Sequence, residues 1–218
     1  MAADRTDIPP RAWQRMLSGR RLDLLDPSPL DVELSDIAHG LARVARWNGQ
    51  THGDHAFSVA QHSLVVEDIA LQIKPDLPPQ WRLAVLLHDA PEYVIGDMIS
   101  PFKAVMGGDY KLVESRLQEA IHRRFGLPGK LPEAVKKLAK KADIICAYFE
   151  AVELAGFGDE EAARIFGRPK GFGTGPASAP RLGLEPMPAA KAQIAFTGRF
   201  EAIYALAANA QPKAARKP

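Results

Sequence analysis

The sequence predicts an all-α fold, a bundle of amphipathic helices. Apolar residues recur at spacings of three and four along most of the chain, the repeat of one helix face. No alternating strand pattern of comparable length and no internal repeat interrupts that rhythm. The 218 residues suffice for one sizeable core, and 46% apolar with 25% charged residues is an ordinary globular balance.

Ser35 or Asp36 can cap a first helix that carries Ile37, Leu41 and Val44 to about Arg46. Residues 47–55 are polar and contain glycine, which reads as a loop. From about Ser58 a second helix carries Val59, His62, Val66, Ile69 and Ile73, spaced 3, 4, 3 and 4. Residues 75–79 hold three prolines and can start a third helix, which runs through Leu86-Leu87-His88-Asp89-Ala90-Pro91-Glu92 to a stop at Gly96. Tyr110, Val113, Leu117, Ile121 and Phe125 mark a fourth helix. Val135, Leu138, Ala142, Ile145, Phe149 and Val152 mark a longer fifth one. Residues 167–188 are rich in Gly, Pro and Ala, as in Gly171-Phe172-Gly173-Thr174-Gly175-Pro176, and favour a mobile surface loop over a substrate lid. A last helix is expected to return Ile194, Phe196, Phe200 and Tyr204 to the body. The whole chain, 1–218, reads as a single domain. Its core spans about 35–155, followed by a loop excursion over 156–188, a C-terminal helix over 189–208 and a tail over 209–218.

Several function classes drop out. A formal charge of +2 gives no general attraction to a nucleic-acid polymer or a membrane. The basic stretch from Lys213 to Lys217 reads as a solvated end. One cysteine, Cys146, excludes an intramolecular disulfide and fits a reducing compartment. Met1 to Arg5 holds no apolar segment, so no signal peptide is expected, and no apolar run is long enough to span a bilayer. The expectation is a cytoplasmic enzyme or binding protein.

The chemistry is concentrated at His88-Asp89, an adjacent polar pair at the end of an apolar helix. Burial of both is unfavourable unless something compensates them. A divalent metal suits both, since imidazole favours borderline transition metals and carboxylate favours harder ions. His62 lies on the apolar stripe of its own helix, and Asp143 borders the apolar face of the long one. His62, His88, Asp89 and Asp143 can therefore converge from three helices, as metal ligands do in helical bundles. Two neutral imidazoles and two carboxylates balance one divalent ion and leave coordination positions open.

The ordered set resembles the HD-domain metal-dependent phosphohydrolases. Its flanks are Arg46-Trp47 before Ser58-Val59-Ala60-Gln61-His62-Ser63, then Leu87 to Glu92 followed by Gly96-Asp97-Met98-Ile99-Ser100-Pro101-Phe102-Lys103. Lys141-Ala142-Asp143-Ile144-Ile145-Cys146-Ala147-Tyr148 completes them. Together these are similar to the bacterial 5′-deoxynucleotidase branch of that superfamily and its phage-like relatives, over roughly residues 38–154. The resemblance implies an HD-domain helical bundle that binds one divalent ion (Mn, Co, Mg, Fe, Ni or Zn) through His62, His88, Asp89 and Asp143. It implies a small-molecule phosphate ester as substrate, with hydrolysis of the phosphomonoester of a (deoxy)nucleoside 5′-monophosphate through a metal-activated water, and it makes a homodimer plausible. Hydrolysis of a cyclic or hyperphosphorylated nucleotide, or a regulatory module without turnover, are the competing readings.

Implied roles follow residue by residue. Glu92 would orient or deprotonate the attacking water, because on a continuous helix it shares a face with His88 and Asp89. Arg46 would grip phosphate, Trp47 would pack on the sugar or base, and Asp97 would reach a sugar hydroxyl or stand behind the residues that touch metal and substrate. Lys103 is a weaker candidate for phosphate contact. Pro91 complicates the role of Glu92, because it can kink the helix or restart it and so move Glu92 off that face. His52 and His55 read as loop residues, His39 and His122 as helix residues without a functional role, and Cys146 as a small core residue.

Overall fold

The computed structural model describes residues 11–98 and 108–210. Helices dominate. They are α1 (Leu34–Leu41), α2 (Val59–Ile73), α3 (Pro79–Leu86), α4 (Glu92–Ile95), α5 (Gly108–Arg124), α6 (Glu133–Glu153), α7 (Asp159–Phe166) and α8 (Ala189–Ala210). The one sheet among the described residues is a short antiparallel hairpin of β1 (Trp13–Arg15) and β2 (Arg21–Asp23). Strands of three residues are too short for alternation to register in a sequence. The hairpin is held by fully buried Leu22 and by the guanidinium groups of Arg11, Arg15 and Arg21 over the Trp13 ring.

Two apolar clusters share α2 and α3. One joins α1, α3, α5 and α8 through Ile37, Leu41, Leu83, Leu117, Phe196 and Phe200. The other joins α2, α6 and α7 through Val66, Ile69, Cys146, Tyr148, Phe149 and Ala162. Glu67 of α2, fully buried, accepts from Arg82 of α3 at 2.7 Å and from Arg199 of α8, and so ties three helices with charge.

Several elements differ from the sequence reading. The third helix is not continuous: α3 stops at Leu86, and His88 and Asp89 lie in a tight turn before α4. Pro91 has helical φ and ψ (−52°, −26°) and starts α4, where its missing N–H costs nothing. The first helix ends at Leu41 rather than near Arg46. The 156–188 excursion contains α7, an amphipathic helix whose first turn is acidic, Asp159, Glu160 and Glu161. Its remainder is tied to the body. Glu153 accepts from the backbone N–H groups of Leu182, Gly183 and Leu184 at 2.6, 2.8 and 2.7 Å. Arg181 pairs with Asp159 at 2.7 Å, and Gln61 of α2 bonds Glu185 O and Met187 N. The last helix buries Ala192, Phe196, Phe200 and Ile203. Ile194 and Tyr204, expected inside, are exposed, because the buried stripe runs at spacings set by Ala192 instead.

Candidate metal centre

His62 is carried by α2, capped by the Ser58 hydroxyl on Gln61 N. His88 and Asp89 come from the α3–α4 turn, and Asp143 from the middle of α6. One donor atom from each of these side chains lies within 4.8 Å of all the others. His62 Nε2 is 3.2 Å from His88 Nε2, and 3.4 Å from both Asp89 Oδ2 and Asp143 Oδ1. His88 Nε2 is 3.2 Å from Asp89 Oδ2.

The partners of the other ring nitrogens decide what this cluster needs. His88 Nδ1 is 2.9 Å from Val85 O, a carbonyl that can only accept, so Nδ1 carries the proton. His62 Nδ1 is 2.5 Å from Glu150 Oε1. Burial works against a charge on Glu150, but Arg46 and His62 bring its pKa down to about 2, so it is an ionised acceptor. Both imidazoles therefore turn Nε2 toward the same point, the nitrogen left over for a metal ion or a second proton. Two carboxylates face that point as well. Burial opposes ionisation of Asp89 and Asp143, yet the two histidines hold both carboxyls well below the usual carboxylate range. Two imidazole nitrogens and two carboxylate oxygens gathered this closely call for positive charge among them, and a divalent metal ion is one way to supply it. A proton is the competitor for the same place. At His62, burial and Arg46 lower the pKa, but Glu150, Cys146 and Asp143 outweigh them and raise it well above the ordinary value.

Exposure shows the open side. His62 is sealed at 0% side-chain exposure, whereas Asp143 reaches 20% and Asp89 24%. The cluster opens to solvent over the two carboxylates. Lys140 lies on that rim, 2.9 Å from the outer oxygen of Asp143.

Two clefts meet there. One, about 490 Å³, is lined by Arg46, Trp47, Asp97, Phe157, Ile165 and Phe166 beside Asp89, Glu92 and Asp143. The other, about 630 Å³, opens on the α5 side past His88, Gln118 and His122. Glu92, buried at the first turn of α4, lines both. The helix break thus leaves Glu92 beside Asp89 by way of a turn rather than a shared helix face.

Arg46 and Trp47 stand on a strained turn. Trp47 (φ 57°) and Asn48 (φ 52°) are left-handed, which bulky side chains rarely adopt and which costs of order 1–3 kcal/mol each. Backbone bonds hold both ends of the turn, Arg46 N to Phe57 O at 2.8 Å and His52 N to Leu154 O at 2.8 Å. The side chains hold it too. Trp47 Nε1 donates to Glu150 Oε2 at 2.8 Å, and Arg46 Nε donates to the same oxygen at 3.2 Å. Arg46 Nη1 donates to Asp97 Oδ2 at 2.9 Å. Burial disfavours the guanidinium charge, but Glu150 and Asp97 raise its pKa well above the ordinary value. Asp97 is therefore a partner of Arg46 as well as a wall of the cleft.

Glu150 is the residue that the sequence reading missed. It is fully buried on α6, two turns beyond Asp143, and accepts from His62, Trp47, Arg46 and the Cys146 thiol (3.2 Å). Its signal was present: a carboxylate between Phe149 and Ala151 on the apolar stripe of α6 needs a partner. Cys146 is buried as expected, and burial, then Glu150, pushes its thiol up to about 12. Lys103 lies outside the described residues.

Comparison with known proteins agrees with this layout. Residues 35–167 match the family described as 5′-deoxynucleotidase YfbR-like. A protein of Rhodobacter capsulatus described as uncharacterized is 54% identical over 193 residues, covering 88% of this chain and 96% of that protein. The uncharacterized protein YfdR of Escherichia coli is 31% identical over 106 residues, covering 49% of this chain and 54% of YfdR. The matched interval holds every residue of the metal cluster and Glu150, and ends before most of the excursion and the whole of α8.

Proposed function

The chain belongs to the YfbR-like 5′-deoxynucleotidase family of the HD-domain superfamily, and on that premise we propose that it hydrolyses the phosphomonoester of a (deoxy)nucleoside 5′-monophosphate. The observation that carries this reading is the pair of imidazole Nε2 atoms facing each other at 3.2 Å with the carboxylates of Asp89 and Asp143 beside them. His62, His88, Asp89 and Asp143 would hold one divalent ion. When bound, it supplies a Lewis acid for a phosphoryl oxygen and lowers the pKa of a bound water.

The chain's own residues do the rest. Glu92 takes a proton from the attacking water as the new P–O bond forms. The bond from phosphorus to the 5′ oxygen breaks, and that oxygen takes the proton that Glu92 received, leaving as the nucleoside hydroxyl. Arg46 offers phosphate the N–H groups that Glu150 and Asp97 leave free, and is aimed by those two bonds. Trp47 offers the sugar or base an aromatic wall, continued by Phe157 and Phe166. Asp97 has a second carboxylate oxygen for a sugar hydroxyl. Lys103 remains a candidate for phosphate contact.

The test is metal content together with phosphate release from a panel of deoxy- and ribonucleoside monophosphates under Mn²⁺, Co²⁺ or Mg²⁺. Turnover that disappears in Asp89→Ala along with the metal is the expected result. An Asp89→Ala protein that kept its metal and full activity would place the centre elsewhere. Metal bound without turnover of any phosphate ester would leave a regulatory module.

A further inference from the structure

Next to the Trp47 cleft lies a second groove of about 530 Å³, between α6 and the segment that follows α7. Its charge is one-sided. Lys137, Lys140, Lys141, Arg168 and Lys170 line it, and no carboxylate does among the described residues. The whole chain carries a formal charge of only +2, so this local excess is not a property of the surface at large. Arg168 is held by Glu160 at 2.5 Å, and Lys140 by Asp143. Lys137, Lys141 and Lys170 pair with no acid among the described residues and are exposed to solvent. Lys137 and Lys141 are one turn apart on α6 and present their charges side by side.

The groove is continuous with the proposed nucleoside cleft. Lys140, Ile144 and Phe166 line both, and so form the sill between them. Across that sill, Ile144, Phe166 and Phe172 give the basic groove an apolar floor. Lys137 precedes Asp143 by six residues, roughly 9 Å along the helix axis. A nucleotide held at the proposed metal and lying in the Trp47 cleft therefore has these cations beside its sugar, across the sill of Ile144 and Phe166. Cations over apolar and aromatic floor are what a phosphoryl group attached to a nucleoside requires.

We propose that this groove takes a second phosphoryl group of the substrate, so that the preferred substrate is a nucleotide phosphorylated at both its 5′ and 3′ positions. The inference rests on reading the Trp47 cleft as the nucleoside site. With the 5′ phosphate at the metal, a deoxyribose has only its 3′ oxygen left to carry another phosphoryl group. That group is either a terminal 3′-phosphate or the first internucleotide diester of a short 5′-phosphorylated oligonucleotide. Hydrolysis is unchanged in kind: water adds at the 5′ phosphorus, the bond to the 5′ oxygen breaks, and the 3′ phosphoryl group stays on the product.

The experiment compares a deoxynucleoside 5′-monophosphate, its 3′,5′-bisphosphate and a 5′-phosphorylated dinucleotide on the metal-loaded protein. Wild type and the double variant Lys137→Gln/Lys141→Gln are assayed for kcat and KM, and for affinity by calorimetry. Two exposed charge pairs are expected to give the bisphosphate about a 5-fold or larger advantage, expressed in KM and weakened by salt. The double variant is expected to erase that advantage and leave the monophosphate unchanged. An advantage for the bisphosphate alone identifies the terminal phosphate as the ligand, and an equal one for the dinucleotide identifies the diester. Turnover of the monophosphate with no gain for either larger substrate overturns the inference and leaves the nucleotidase reading intact. If no 5′ phosphate is turned over, that reading fails, and affinity decides the groove: bisphosphate and monophosphate binding equally in wild type refutes it.

Discussion

Replacing Glu150 by Gln should loosen the metal centre and the substrate turn together. The carboxylate is fully buried and receives His62 Nδ1 on one oxygen and Trp47 Nε1 and Arg46 Nε on the other. A Gln side chain keeps one acceptor, so His62 can be satisfied only if the new NH₂ faces the Trp47 and Arg46 donors. Each buried donor left without an acceptor costs about 1–3 kcal/mol. Breaking one side of a buried ion pair costs about 3–5 kcal/mol. These describe overlapping losses, so they do not add, and a destabilisation of ~3–5 kcal/mol is expected for the metal-free protein. Loss of the anion behind His62 also weakens the ligand itself, and such outer partners are worth about 10–100-fold in metal affinity. Urea unfolding without metal and Mn²⁺ calorimetry separate the two effects. Stability within about 0.5 kcal/mol of wild type, with unchanged Mn²⁺ affinity, would refute the role assigned to Glu150.

Other substitutions probe the frame around the site. A Cβ on Gly40 of α1 would lie 2.7 Å from Tyr93 O and 2.8 Å from Tyr93 Cβ, so Gly40→Ala should cost about 1–3 kcal/mol. It should displace α4 with Glu92, and phosphate-release kinetics should fall while metal content stays constant. Glu67→Ala leaves Arg82 and Arg199 without their buried acceptor, so denaturant unfolding should show a loss of about 3–5 kcal/mol. His122 is buried, and burial lowers its pKa below 6.5; its Nε2 accepts from Gln118 at 2.6 Å, where a proton would meet an NH₂. The unfolded chain therefore takes up this proton first, and the contribution is complete above about pH 6.5 and lost as pH falls toward the lowered value. Wild type should lose stability relative to His122→Phe on going from pH 7 to about pH 5; parallel curves would reject this.

The cluster of His62, His88, Asp89 and Asp143 was legible because its histidines and Asp89 break apolar patterns in a way one sequence can show. His62 interrupts an apolar stripe, and His88-Asp89 ends one. What the sequence could not show is how the chain bends between them. Pro91 was read as a kink or a restart of the helix, and it is a restart: α3 had already ended at Leu86, and proline is at home where α4 begins. The helix within the excursion was hidden by its flanking glycines, although its acidic first turn was a usable sign. Arg46 and Trp47 drew attention only through a family resemblance, since their partners, Asp97 and Glu150, are 51 and 104 residues away from Arg46.

Those distant partners also explain why the strained turn exists. A left-handed Trp47 persists only where the surroundings over-determine it, and the same Glu150 that holds its indole also sets the tautomer of His62. The turn that presents Arg46 and Trp47 to the cleft and the imidazole at the centre are therefore positioned by one buried carboxylate. A change on α6 that shifts Glu150 cannot move one without the other. The Arg46–Trp47 turn and the His62 imidazole are in that sense a single packing problem, and residues 47–49 should become ordered in the left-handed form only when α6 is docked.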